Sequence, residues 1–200
     1  MTPNSLTHLA LATATLVAMC GVATAQLAEP KPDSATAQSA NAEDNRPELA
    51  SALPQSRLVG KIRLSVWGFQ VYDARLWTLP GFKPESYGSQ PFALELAYLR
   101  DFTGKDIAER SITEMRRSAA ISDEQAASWI TQMQRVIPDI KKGDRIMGVH
   151  RPGMGAQFLV NGKASGDIRD AEFARLFFGI WLSTKTSEPK MRAALLAGVN

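Results

Sequence analysis

Between Leu58 and Val66 the chain alternates. Leu58, Gly60, Ile62, Leu64 and Val66 fall on one face and Val59, Lys61, Arg63 and Ser65 on the other, the period of a half-buried strand. A second strand, rich in Trp, Tyr and Val, runs from Phe69 to Leu79. Phe92, Leu94, Leu96 and Tyr98 make a third, opened by Pro91. The period then lengthens. Ile107, Ala108, Ser111, Ile112 and Met115 share one face of a helix near 104–117, and Ala126, Trp129, Ile130, Met133, Val136 and Ile137 share the face of another. Ser122 and Gln125 suit a capping box at the start of that second helix. Strands return at Arg145–His150 and Gln157–Val160, and Asn161-Gly162 is the preferred two-residue hairpin turn, whose central positions need positive φ. Two helices close the chain. Asp170 caps one, with Phe173, Leu176, Phe177, Ile180 and Trp181 inward, and Ser187 caps one ending near Gly198. Three strands, two helices, a hairpin and two helices predict an α+β fold, an antiparallel sheet covered on one face by a layer of helices.

Upstream the pattern is different. Residues 27–55 are rich in Ala, Ser, Pro and scattered charge, and no apolar period runs through them. Such a stretch buries too little to offset its ordering entropy, which predicts a disordered linker over 26–56 with room for a short helix around Pro47–Leu53. The folded domain is then expected over 57–200. Residues 1–25 contain no Asp, Glu, Lys or Arg, and the apolar run from Leu9 to Val22 ends in Ala23-Thr24-Ala25. This predicts an export signal cleaved after Ala25, with the periplasm as the favoured destination. Cys20 is the only cysteine, and Met19 before it argues against lipid attachment there. A mature chain starting at Gln26 would have no thiol, so disulfides, thiol catalysis and thiolate metal sites are not expected.

Composition narrows the function classes. Apolar content of 44% and charged content of 22% are those of an ordinary globular domain, and a net charge of +3 without clustered Lys or Arg gives no support to nucleic-acid binding. Asp73 and Arg75 interrupt an apolar face that also holds Trp67, Phe69, Val71 and Trp77. They are displaced by a bulge, paired as ions, or open onto a cleft. Arg63, on a strand whose opposite face is apolar, could hold a carboxylate or polarise a carbonyl oxygen, or could equally be a surface residue beside Lys61. His150 lies in His-Arg-Pro with no Ser or Asp spaced for a triad and reads as a turn residue. Gly153-Met154-Gly155 lacks the full phosphate-loop pattern. Asp139, Asp144, Asp167 and Asp170 have no metal-loop spacing, and neither a metal nor a cofactor is implied.

Four segments in order, RLVGKIRLSVWGFQVYDARLW, ALELAYLRDFTGKDIAERSITEMRR, GDRIMGVHRPGMGAQFLVNGKASGDI and DAEFARLFFGIWL…TSEPKMRAALL, resemble the chalcone-isomerase-like family over about residues 57–197. The resemblance implies a large antiparallel sheet, a helical layer and an apolar cleft between them. It also implies two functional branches, ring-closing isomerases and fatty-acid binders that are not isomerases. The isomerase pattern carries over poorly. Its arginine matches Arg63, with Arg57 as second choice, but its threonine falls at Trp67, its tyrosine at Ile107 and its Thr-Met pair at Gly179-Ile180. With three polar groups lost, the resemblance implies a non-catalytic exported protein holding a fatty acid or similar amphipathic acid. Arg63 would meet the carboxylate, Trp67, Ile107, Phe177 and Ile180 would line the cleft, and Tyr98 and Arg110 would add polar contacts. Two alternatives stay open: an isomerase or lyase acting on an enone or phenolic compound, and an envelope module that binds a protein partner and is marked by an exposed apolar patch.

Overall fold

A computed structural model describes residues 46–199. The expected export signal, Cys20 and the linker up to residue 45 lie outside the described residues. Six strands, β1 (Arg57–Val66), β2 (Phe69–Thr78), β3 (Phe92–Tyr98), β4 (Arg145–Arg151), β5 (Gly155–Val160) and β6 (Lys163–Ile168), pair in chain order into one antiparallel sheet. Helices α2 (Gly104–Met115) and α3 (Asp123–Val136) fill the gap between β3 and β4, and α4 (Ala171–Leu182) and α5 (Pro189–Leu195) follow β6. The predicted α+β class holds, with a sixth strand beyond the five read from the sequence. β6 has the sequence Lys-Ala-Ser-Gly-Asp-Ile, almost free of apolar alternation, because as an edge strand it buries little of itself.

Local chemistry explains the boundaries. The Thr103, Ser122 and Asp170 side chains accept from the backbone N–H of Asp106, Gln125 and Phe173, capping α2, α3 and α4. The last helix departs from expectation. Glu188, not Ser187, is its N-cap, since Pro189 supplies a fixed φ at the first helical position. Asn161 and Gly162 turn with φ of 50° and 80°, as the two-residue hairpin requires.

The main core lies between the sheet and the four helices and includes Leu76, Phe92, Phe158, Phe173 and Phe178, all essentially inaccessible. A second, smaller core lies on the opposite face of the sheet. There Leu49 and Leu53 cover Trp77, Ala93, Met147, Val149 and Leu159. Leu49 belongs to a short helix, α1 (Leu49–Ala52), within the region where a helix was anticipated. Residues 46–53 are therefore a docked strap and not the end of an unpacked linker. Arg46 fastens it, donating to both carboxylate oxygens of the fully buried Glu95 at 2.6 and 2.7 Å. Arg145 bridges Glu95 at 2.8 Å and also pairs with Glu48, and Arg75 stands 3.7 Å from Glu95.

Candidate functional site: an apolar cleft under the helices

Helix α2 packs chiefly on α3 and α4, while α5 presses directly on β1. At Gly60 the approach is so close that an added Cβ would lie 2.2 Å from the carbonyl oxygen of Leu195. Between the helix held off the sheet and the helix clamped to it remains a cavity of about 420 Å³. Its floor is Leu64 and Tyr72 of β1 and β2, Leu94, Leu96 and Tyr98 of β3, and Ile146, Gly148 and Phe158 of β4 and β5. Ile107 and Ser111 of α2, Phe177, Ile180 and Trp181 of α4, and Met191 of α5 close it from above.

Strand register orders these residues along the cleft. Leu94 is paired with Gly148, and Gly148 with Phe158, at the apolar inner end. Tyr72 is paired with Tyr98 near the other end, their rings edge to face at 5.9 Å. The exposed part of the lining is charged, with Arg100 and Arg110 beside the carboxylates Asp106 and Glu188. Tyr72 accepts a hydrogen bond from Trp181 Nε1 at 3.1 Å and donates its own proton to the Met191 sulfur at 3.9 Å, a weak acceptor. Burial pushes the Tyr72 hydroxyl up to about 12, with Glu188 and Glu114 adding to the rise and Arg110 opposing it. Burial, and secondarily Tyr72, pushes Tyr98 higher still. Both phenols are neutral donors at ordinary pH, poor general acids but good partners for a ligand oxygen. Ser111 spends its proton on the Ile107 carbonyl at 2.7 Å. At the mouth Arg110 pairs with Glu114 at 2.6 Å, its own side chain largely exposed.

Of the residues singled out in the sequence, Tyr98, Ile107, Arg110, Phe177 and Ile180 come together around this cleft. Arg63 does not. It projects from the other face of β1 and forks onto both carboxylate oxygens of Asp73 at 2.6 and 2.8 Å, with Gln70 as third partner at 3.1 Å. The pairing holds the Asp73 carboxyl below its ordinary range. Asp73 thus pairs with Arg63, and Arg75 stands by Glu95, both on the outer face. Trp67 is also misplaced by the expectation. With Gly68 it forms the β1–β2 turn, φ of 50° and 81°, and 95% of its surface is exposed. Tyr72, Trp181 and Arg100 are cleft residues the sequence reading passed over. Counting β2 inward from Trp67 puts Tyr72 outside, whereas the turn makes Tyr72, Ala74 and Leu76 the inward set. His150 is no turn residue. It is buried in β4, stacked on Phe92 at 4.9 Å with Nδ1 2.7 Å from the Gln90 carbonyl oxygen.

The sheet and its helical layer have a counterpart elsewhere. The crystal structure of a fatty-acid binding protein of Arabidopsis thaliana superposes with a TM-score of 0.57 at 14% identity, over 72% of this chain and 87% of that one. At that identity the likeness is one of fold. An uncharacterised protein of Haemophilus influenzae is 30% identical over 131 residues, 65% of this chain and 63% of that protein's length. The pattern of the family described as chalcone isomerase-like matches residues 60–197, from inside β1 through α5. By that match, on that fold, the chain belongs to the chalcone isomerase-like family.

Proposed function

We propose that this is a binding protein, exported and without catalytic activity, that carries a fatty acid or similar amphipathic acid in the cleft. The observation that carries the reading is the cavity of about 420 Å³, lined mainly by apolar side chains, with the charged groups Arg100, Asp106, Arg110 and Glu188 exposed at its margin. That volume lies within the roughly 300–1,000 Å³ of small-molecule sites, and an apolar lining with a charged margin suits a molecule with one polar end. The apolar tail lies against Leu94, Phe158, Phe177 and Ile180. The carboxylate is met by the Tyr72 and Tyr98 hydroxyls and by Arg110, which turns from Glu114 toward it. Arg110 takes the role that Arg63 had in the sequence reading, because the Arg63 guanidinium is already committed to Asp73 on the other face. Phenols held neutral by burial supply hydrogen bonds without proton transfer, which favours binding over isomerisation.

The test starts with native mass spectrometry of residues 26–200 and solvent extraction of what accompanies the protein. A stoichiometric amphipathic acid supports the carrier; an empty cleft that also refuses a fatty-acid panel rejects it. The Arg110→Ala variant should then bind the acid about tenfold or more weakly, as loss of a hydrogen bond to a charged group implies, while binding of the methyl ester hardly changes. Arg63→Ala should alter neither. Equal loss of acid and ester in Arg110→Ala would remove Arg110 from the site.

A further inference from the structure

The β1–β2 turn is the most exposed apolar feature among the described residues. Trp67 is 95%, Phe69 62% and Val66 41% exposed, all within four residues. A turn with two positive φ values favours Asn, Asp or Gly. Tryptophan is strained there and buries nothing on its own chain in return, so folding gives no reason for it. The Arg100 guanidinium stands 5.3 Å from the centre of the Phe69 ring. Val66 and Arg100 also line the cleft, so the tip adjoins its mouth.

We propose that this hairpin tip is a membrane-contact site. Trp67 and Phe69 enter the interfacial region of an anionic bilayer, Arg100 meets its headgroups, and the mouth of the cleft is brought against the lipid from which its ligand comes. Three features favour a lipid surface over a protein partner. Trp and Phe on a projecting turn can enter headgroups without a complementary pocket. A specific protein interface buries about 1,200–2,000 Å² in total, far more than a two-residue turn and its neighbours present. The charge also agrees: Arg100 at the tip and a net +3 over the chain are attracted to anionic lipid. The role in ligand loading rests on the carrier reading above; the contact itself does not.

Vesicles of phosphatidylcholine, with and without phosphatidylglycerol, test it by flotation and by quenching of tryptophan emission with brominated lipid. Residues 26–200 should float with the anionic vesicles and less with the neutral ones. The double variant Trp67→Asn, Phe69→Thr should lose about tenfold or more in partitioning, as removal of two interfacial aromatic side chains implies. Its melting temperature should not fall, since Asn suits the turn and Thr the strand. Absence of flotation by the unsubstituted protein, or equal flotation by the variant, would overturn the proposal. So would self-association through the tip without vesicle binding, which would mark a contact between two copies. An Ile180→Trp variant, its cleft filled, should float like the unsubstituted protein. If the unsubstituted protein floats but binds no fatty acid, the carrier reading fails and the membrane contact stands.

Discussion

Single residues reveal how much depends on which face of a strand a side chain occupies. Arg63 and Leu64 are neighbours, yet one pairs with Asp73 outside the sheet and the other floors the cleft. A one-residue change of register reverses every such assignment. The alternation of β1 was legible from Gly60 to Leu64, because Ile62 and Leu64 contrast with Lys61 and Arg63. Before that, a bulge between Leu58 and Gly60 puts Val59 in the main core and Leu58 against the outer one, the reverse of the expected faces. The alternation of β2 was not legible, because Trp67 in the turn and Phe69 at the exposed start of the strand look like core. His150 gives a residue-scale prediction. Burial, partly offset by the hydrogen bond to Gln90, lowers its pKa from 6.5, so the folded state favours the neutral ring. Below pH 6.5 the unfolded chain then binds more protons than the fold does. Stability should be flat just above that pH and fall as pH drops below it. A further decline from carboxylates such as Asp73 and Glu48, whose pKa values the fold lowers from 3.8 and 4.5, should begin at more acid pH. Urea midpoints from pH 5 to 8 check this. The slope between pH 5 and 6.5 should vanish in His150→Gln, and a slope that survives the substitution belongs to another group.

Among the elements, the helices were the easiest to read and the outer strap the hardest. The caps at Ser122 and Asp170 lie where their sequence signatures put them, since a cap is a local interaction of a few residues. The strap is different in kind. Leu49 and Leu53 are two apolar residues in an Ala- and Pro-rich stretch, and only the sheet gives them partners. Arg46 is likewise one charge among many until Glu95 lies opposite. Glu95 has its own explanation, a buried carboxylate on the outer face of β3 that Arg46, Arg75 and Arg145 surround. If the strap is part of the folded domain, Leu53→Ala should lower stability by about 2 kcal/mol, the lower end for a buried leucine, because the patch it covers is small. It should also increase binding of a hydrophobic dye as Trp77 and Met147 open to water. A change below about 0.5 kcal/mol, the range of surface substitutions, would return these residues to the linker.

At the scale of the whole molecule the cleft lies between the sheet and the helices α2, α4 and α5. A cleft of about 420 Å³ leaves apolar side chains without packing partners across it, a cost that folding alone does not explain. No run of residues announces it. Its walls come from five strands and three helices, and their apolar residues are indistinguishable in sequence from those of a solid core. If the space exists for a ligand, filling it should trade function for stability. Ile180, half-buried on α4 and facing the cleft, is the position to enlarge. With no ligand present, Ile180→Trp should melt at or above the temperature of the unsubstituted protein, because the added ring gains contacts where there were none. With a bound fatty acid the order should reverse. A ligand that binds only the native state at a hundred times its Kd adds about 2.7 kcal/mol, which the unsubstituted protein should show as a concentration-dependent rise in Tm and the variant should lose. Thermal melts of both proteins with and without the acid separate the cases. A variant that is destabilised without ligand would mean the space is too narrow for the ring, and Ile107→Phe, entering from α2, then makes the same test with a smaller side chain. If both variants keep the ligand-induced rise, the acid binds elsewhere and the cleft is not its site.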